Sequence, residues 1–114
     1  MKYLVIICFA FASTQCTRGN QDKTNKKMQV AVWDTYVTKK DRSIMHFDII
    51  VPTDIKDTSI IYEYGRNYLK SKGQEDQVLA AKQCRFCHIE SVDTKREAEI
   101  LSNGYYIIEI DNCE

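Results

Sequence analysis

The stretch from Ile44 to Val51 limits the fold more than any other part of the chain. Met45, Phe47, Ile49 and Val51 form one wholly apolar set at alternate positions, and Ile44, His46, Asp48 and Ile50 form the other. Side chains of a strand alternate between faces with a period of two, so this stretch reads as a strand with one buried side. His46 and Asp48 become neighbours on its less apolar side, where a site could form. Gln29 to Val37 is β-branched and aromatic, and reads as a first strand. Val30, Val32 and Tyr36 share one of its faces, and Ala31, Trp33 and Val37 the other. The polar run from Thr38 to Ser43 between the two has the length of an ordinary hairpin loop.

Pro52 ends the second strand because it lacks an N–H for the ladder. Asp57 or Thr58 can cap a helix that runs to about Lys72, with Gly73 as a left-handed stop. Ile60, Ile61, Tyr64, Tyr68 and Leu69 recur at helical spacing and are expected against the sheet. Gly65 inside this helix costs roughly 1 kcal/mol of helical propensity relative to alanine, which close packing would explain. After a polar approach, Cys84 to Ile89 reads as a strand. A second helix fits Val92 to Asn103, capped by Ser91 or Asp93 and stopped by Gly104, with Ala98, Ile100 and Leu101 as its apolar positions. Tyr105 to Ile110 closes the chain as a strand, with Tyr106, Ile108 and Ile110 on one face. The order β-β-α-β-α-β predicts a single α+β domain, a four-stranded sheet with the helices packed on one face.

That domain occupies residues 28–114, and residues 1–27 differ from it in kind. Met1 and Lys2 make a positive start, and Tyr3 to Ala12 is an apolar run too short for a bilayer but right for a signal peptide. Ala10-Phe11-Ala12 offers a small-x-small cleavage site. Alternatively, Ser13 to Cys16 reads as a degenerate lipoprotein box, with Cys16 as the lipidated residue and Gln15 as its atypical member. Thr17 to Lys27 is a polar tether. Read from Met1, the protein is exported or a membrane-anchored lipoprotein, touching membrane only through this leader or a lipid on Cys16. Read from Met28, with Met1 a mis-assigned start, it is cytoplasmic. Sixteen basic and sixteen acidic side chains cancel, so no global field would hold nucleic acid. A homodimer is compatible with the composition.

The chemistry is concentrated in Cys84-Arg85-Phe86-Cys87-His88. Of five cysteines, Cys8 and Cys16 belong to the leader and Cys84, Cys87 and Cys113 to the domain. Three is an odd number, which suits a metal or redox cluster better than a complete disulfide framework. In an extended strand Cys84 and Cys87 point to opposite faces with Cα atoms about 10 Å apart. A disulfide needs them within about 7 Å, so cooperation of the two thiols requires the backbone to bend. If it stays extended, Cys84, Phe86 and His88 share one face, and Arg85, Cys87 and Ile89 the other. Thiolate and imidazole are ligands that zinc prefers, and Cys-x-x-Cys is the spacing of a zinc knuckle. Cys84, Cys87 and His88 are therefore candidate ligands, with Cys113 or His46 as the fourth. The competing reading has the cysteines filling a core and His88 merely hydrogen-bonded. Cys-x-x-Cys-His is also the attachment signature of c-type haem, which its late position in a strand-rich domain disfavours. Thiol–disulfide exchange by Cys84 and Cys87 is a further reading. A thioredoxin arrangement would place a proline after the cysteines, whereas Pro52, the one proline, precedes them.

Five stretches together resemble a known family. They are Val32-Trp33-Asp34-Thr35-Tyr36-Val37, Met45-His46-Phe47-Asp48-Ile49, Tyr68-Leu69-Lys70-Ser71-Lys72-Gly73, Cys84 to His88, and Gly104-Tyr105-Tyr106-Ile107 followed by Cys113. On these residues the segment from Gln29 to Cys113 resembles the bacterial domain-of-unknown-function family DUF2024. The resemblance implies a small α+β domain starting at the equivalent of Met28, no assigned activity and no haem. It also implies that His46, Cys84, Cys87, His88 and Cys113 are motif positions. The expected function is that of a small accessory or binding domain with a Cys/His metal site, zinc-like in its donors. The alternatives are a thiol-redox protein, or a structural interaction module with inert core cysteines.

Overall fold

A computed structural model describes residues 27–114. The expected signal peptide, the expected lipid on Cys16 and most of the expected tether lie outside the described residues. The elements are β1 (Gln29–Thr38), β2 (Ile44–Pro52), α1 (Thr58–Ser71), β3 (Cys84–Ser91), α2 (Thr94–Asn103) and β4 (Tyr106–Asp111). They follow the order expected from the sequence, and the strands form one antiparallel sheet in the order β3-β1-β2-β4.

The β1–β2 hairpin is the centre of that sheet. Its register runs without interruption from Val30 opposite Pro52 to Thr38 opposite Ile44. The apolar set of β2, namely Met45, Phe47, Ile49 and Val51, is fully buried beneath α1, which contributes Ile61, Tyr68 and Leu69. Asp57 caps α1 by accepting a hydrogen bond from the Ser59 N–H, and Gly73, at φ 75°, takes the chain out of the helix. A Cβ added at Gly65 would lie 2.5 Å from Leu79 Cδ1 and 3.1 Å from Ile49 Cδ1, so close approach to the sheet explains the glycine. The C-terminal turn of α1 is tied to β4 by Glu109, which accepts from Tyr68 Oη at 2.5 Å and from Lys72 Nζ at 2.8 Å. Ile60, expected to face the sheet, is exposed instead.

The helices do not share a face. Ile100 of α2 packs with Val30, Val32, Ile50 and Val92, a second cluster on the side of the sheet opposite α1. The reason lies in the hairpin. Ile50 follows Ile49 directly, and Val30 and Val32 lie on the same side as Ile50, so the central strands carry apolar residues on both faces at that end. Each face then needs its own covering layer, and one helix cannot supply both. α2 is short, begins at an Asp93 cap, ends at Gly104 with φ 93°, and buries Ile100 alone. Leu101 and Ala98, the other expected core residues of α2, are exposed.

This packing separates two adjacent residues. Ile100→Ala should lower the unfolding free energy by about 2–4 kcal/mol, and Leu101→Ala should change it by under about 0.5 kcal/mol, as measured by urea denaturation. Equal losses at both positions would mean that α2 is rotated from the arrangement described.

Candidate functional site

The thiols are distributed by a β-bulge. In the β1–β3 ladder Trp33 pairs with Phe86 and Val32 with His88, which leaves Cys87 as an extra residue. The strand therefore neither bends into a knuckle nor keeps regular alternation. Cys84 and Phe86 stay on the α1 face, and Ile89 rejoins them. His88 crosses to the face of Arg85, with Cys87 Sγ 3.2 Å from its Nδ1. The regular-strand expectation, with His88 beside Cys84 and Ile89 beside Arg85, is corrected by that single inserted residue.

Cys84 is buried in the α1-side core and accepts a hydrogen bond from Thr35 Oγ1 at 3.4 Å, while burial pushes its thiol pKa up. Cys113 is buried in the same cluster, and its Sγ–H reaches the carbonyl oxygens of His46 at 3.2 Å and Asp111 at 3.3 Å. Cys87 is exposed, and all three are free thiols. His88 directs Nε2 to Glu90 Oε1 at 2.8 Å. Cys84, Cys87, His88, Cys113 and His46 thus occupy both faces and one edge of the sheet and do not converge. Cys113 meets only the backbone of His46. Cys84 is buried and Cys87 exposed, and neither is in a disulfide.

His46 belongs to a different constellation. Asp34 and Asp48 are directly opposed in the β1–β2 ladder, and Tyr36 is opposed to His46. All four project from the face that α2 covers only in part, beyond the end of its apolar patch. One donor atom each from Asp34, His46 and Asp48 lies within 4.8 Å of the other two. His46 Nε2 is 2.5 Å from Asp34 Oδ1, and since a carboxylate only accepts, Nε2 carries the hydrogen. The Tyr36 ring stacks on the imidazole at 4.0 Å and 12°, fixing its plane. A register shift between His46 and Phe47 in the β2–β4 ladder puts a second bulge beside the cluster. Asp48 Oδ1 is buried with no hydrogen-bond partner among the described residues. Burial first, then the adjoining Asp34 carboxyl, pushes the Asp48 pKa up to about 6, against weaker opposite pulls from His46 and His88. The nearness of the Asp34 carboxyl disfavours the charged form of Asp48.

Asp34 was absent from the residues singled out in the sequence. Its parity with Val32 and Tyr36 places it on the correct face, but only the hairpin register sets it opposite Asp48.

Two measurements follow from this geometry. Folded Asp48 keeps its proton to about pH 6, whereas the unfolded carboxyl releases it near 3.8, so the folded state binds more protons between these values. The contribution of Asp48 to stability is therefore present at low pH and is lost as pH rises through that window. Asp48→Asn should stabilise the protein at pH 7 by about 1 kcal/mol, discounted for partial exposure, and have little effect at pH 4. A variant-to-wild-type difference that does not grow with pH would contradict the raised Asp48 pKa. In native alkylation followed by mass spectrometry, Cys87 should be the domain cysteine modified, and Cys84 and Cys113 should react only after unfolding.

The model of the family described as "Domain of unknown function (DUF2024)" matches residues 28–110. Among solved structures, the chain is similar to protein NE1680 from Nitrosomonas europaea, a structural-genomics target determined by NMR. The two are 37% identical with a TM-score of 0.67, over 76% of this chain and 100% of that one. No curated protein matches the chain significantly. With the family pattern running through all four strands, the chain belongs to the DUF2024 family.

Proposed function

We propose that the domain binds a divalent transition-metal ion through Asp34, His46 and Asp48. The observation that carries this reading is the convergence of their three donor atoms to within 4.8 Å on a partly open sheet face. Donors sharing an ion at about 2.1 Å are at most about 4.2 Å apart, so a small inward movement of side chains closes the set. Two carboxylate oxygens and one imidazole nitrogen suit zinc or manganese, and the absence of thiolate from the set makes it a harder site than a zinc knuckle. The rigid ladder presets the two aspartates, and Tyr36 presets the imidazole. The ion would supply the charge that the buried Asp48 oxygen lacks and displace the proton held by Asp48. Three protein ligands leave further positions for solvent or a bound molecule, which fits a binding or accessory role.

Isothermal titration of the metal-free protein with zinc and with manganese tests this. One ion should bind per chain, with proton release, and affinity should rise with pH through about 6. His46→Ala and Asp48→Asn should each weaken binding on the order of 100-fold, as expected for loss of a direct ligand or its orientation. Binding that survives both substitutions but is lost in Cys87→Ser or His88→Ala would return the site to the cysteine stretch.

A further inference from the structure

We propose that β3 is an assembly edge, pairing antiparallel with β3 of a second copy of this chain. β3 is one outer strand of the sheet, and its residues Arg85 to Ile89 are all exposed, including Phe86 at 50% and Ile89 at 48%. It carries no lysine and no proline, two of the residues that blunt an exposed edge.

The bulge makes this strand self-complementary. Without it, residues three or five apart would lie on opposite faces. With Cys87 inserted, Phe86 and Ile89 share the α1 face, and Arg85 and Glu90 share the other. Backbone directions obey the same symmetry. The Tyr36 N–H donates to the Gln83 carbonyl at 2.8 Å, and the Val92 N–H donates to the Met28 carbonyl at 3.2 Å. Alternation from those two ends turns the backbone groups of Arg85, Cys87, His88 and Glu90 towards β1. The backbone groups of Phe86, Ile89 and Ser91 and the Cys84 carbonyl are left pointing outward, while the Cys84 N–H donates to the Ala80 carbonyl at 3.0 Å. A two-fold axis between Cys87 and His88 therefore matches outward groups with outward groups and like faces with like faces.

In that register Arg85 lies opposite Glu90 twice, and Phe86 lies opposite Ile89 twice. Arg85 enters none of the ion pairs formed among the described residues, which join His46 to Asp34, Arg66 to Glu63, Lys72 to Glu109 and His88 to Glu90. Charge complementarity thus selects a second copy as the occupant. The other edge, β4, offers no equivalent, since its only charged residues are Glu109 and Asp111 and self-pairing would bring like charges together.

Sedimentation equilibrium of the full-length chain tests the pairing, with circular dichroism confirming that each variant is folded. The wild type should be a dimer, and Arg85→Glu and Glu90→Arg should each weaken association at least roughly tenfold, because every attractive pair becomes repulsive. The double swap Arg85→Glu/Glu90→Arg restores opposite charges across the axis and should recover the dimer. A wild type that stays monomeric overturns the proposal. So does association that single swaps leave unchanged, which would place the contact elsewhere, including in the leader. Failure of the double swap to recover association would overturn the register.

Discussion

The uninterrupted register of the β1–β2 hairpin is the constraint on which the remainder depends. It buries Met45, Phe47, Ile49 and Val51 in one layer beneath α1 and, by the same alternation, carries His46 and Asp48 to the opposite face. It sets Asp34 against Asp48 and Tyr36 against His46. A slip of one residue would turn Asp48 into the core and the apolar set into solvent, so the burial of Phe47 and the convergence of the polar cluster are one event. The energy that holds the carboxyls together is supplied by the apolar side of the same strands.

Both outer strands depart from regular pairing, and each departure re-aims a side chain. In β3 the insertion at Cys87 moves His88 onto the polar face and leaves Cys84 in the core. In β4 the shift beside His46 lets the chain turn at Asn112, with φ 56°, and returns Cys113 to the α1-side cluster. The cysteines closest in sequence therefore differ in environment, Cys84 buried and Cys87 exposed. Cys84 and Cys113, distant in sequence, share one apolar layer. Two of the three domain thiols behave as small hydrophobes, consistent with the raised pKa of buried Cys84.

The polar face and the bulged edge serve different ends. Asp34, His46 and Asp48 lie on the central strands, where the ladder holds them rigidly. Arg85 to Glu90 lie on an outer strand, where the backbone groups of Phe86 and Ile89 point away from β1. The proposed metal site and the proposed assembly edge therefore rest on separate elements of the sheet.

Much of this was legible in the sequence because it is local. Alternation identified the strands, Asp57 and Gly104 marked helix ends, and parity placed His46 beside Asp48 on the less apolar face. The four-stranded α+β architecture followed from element order. Three things were decided by tertiary structure alone. The hairpin register brought Asp34 into the cluster, because pairing across a loop is not written in either strand. The bulge at Cys87 chose which of Cys84, Cys87 and His88 share a face, because one inserted residue inverts the parity of all that follow. The division of the helices between two faces arose because Ile49 and Ile50 are adjacent, so both sides of the central strands had to be covered once the sheet had formed.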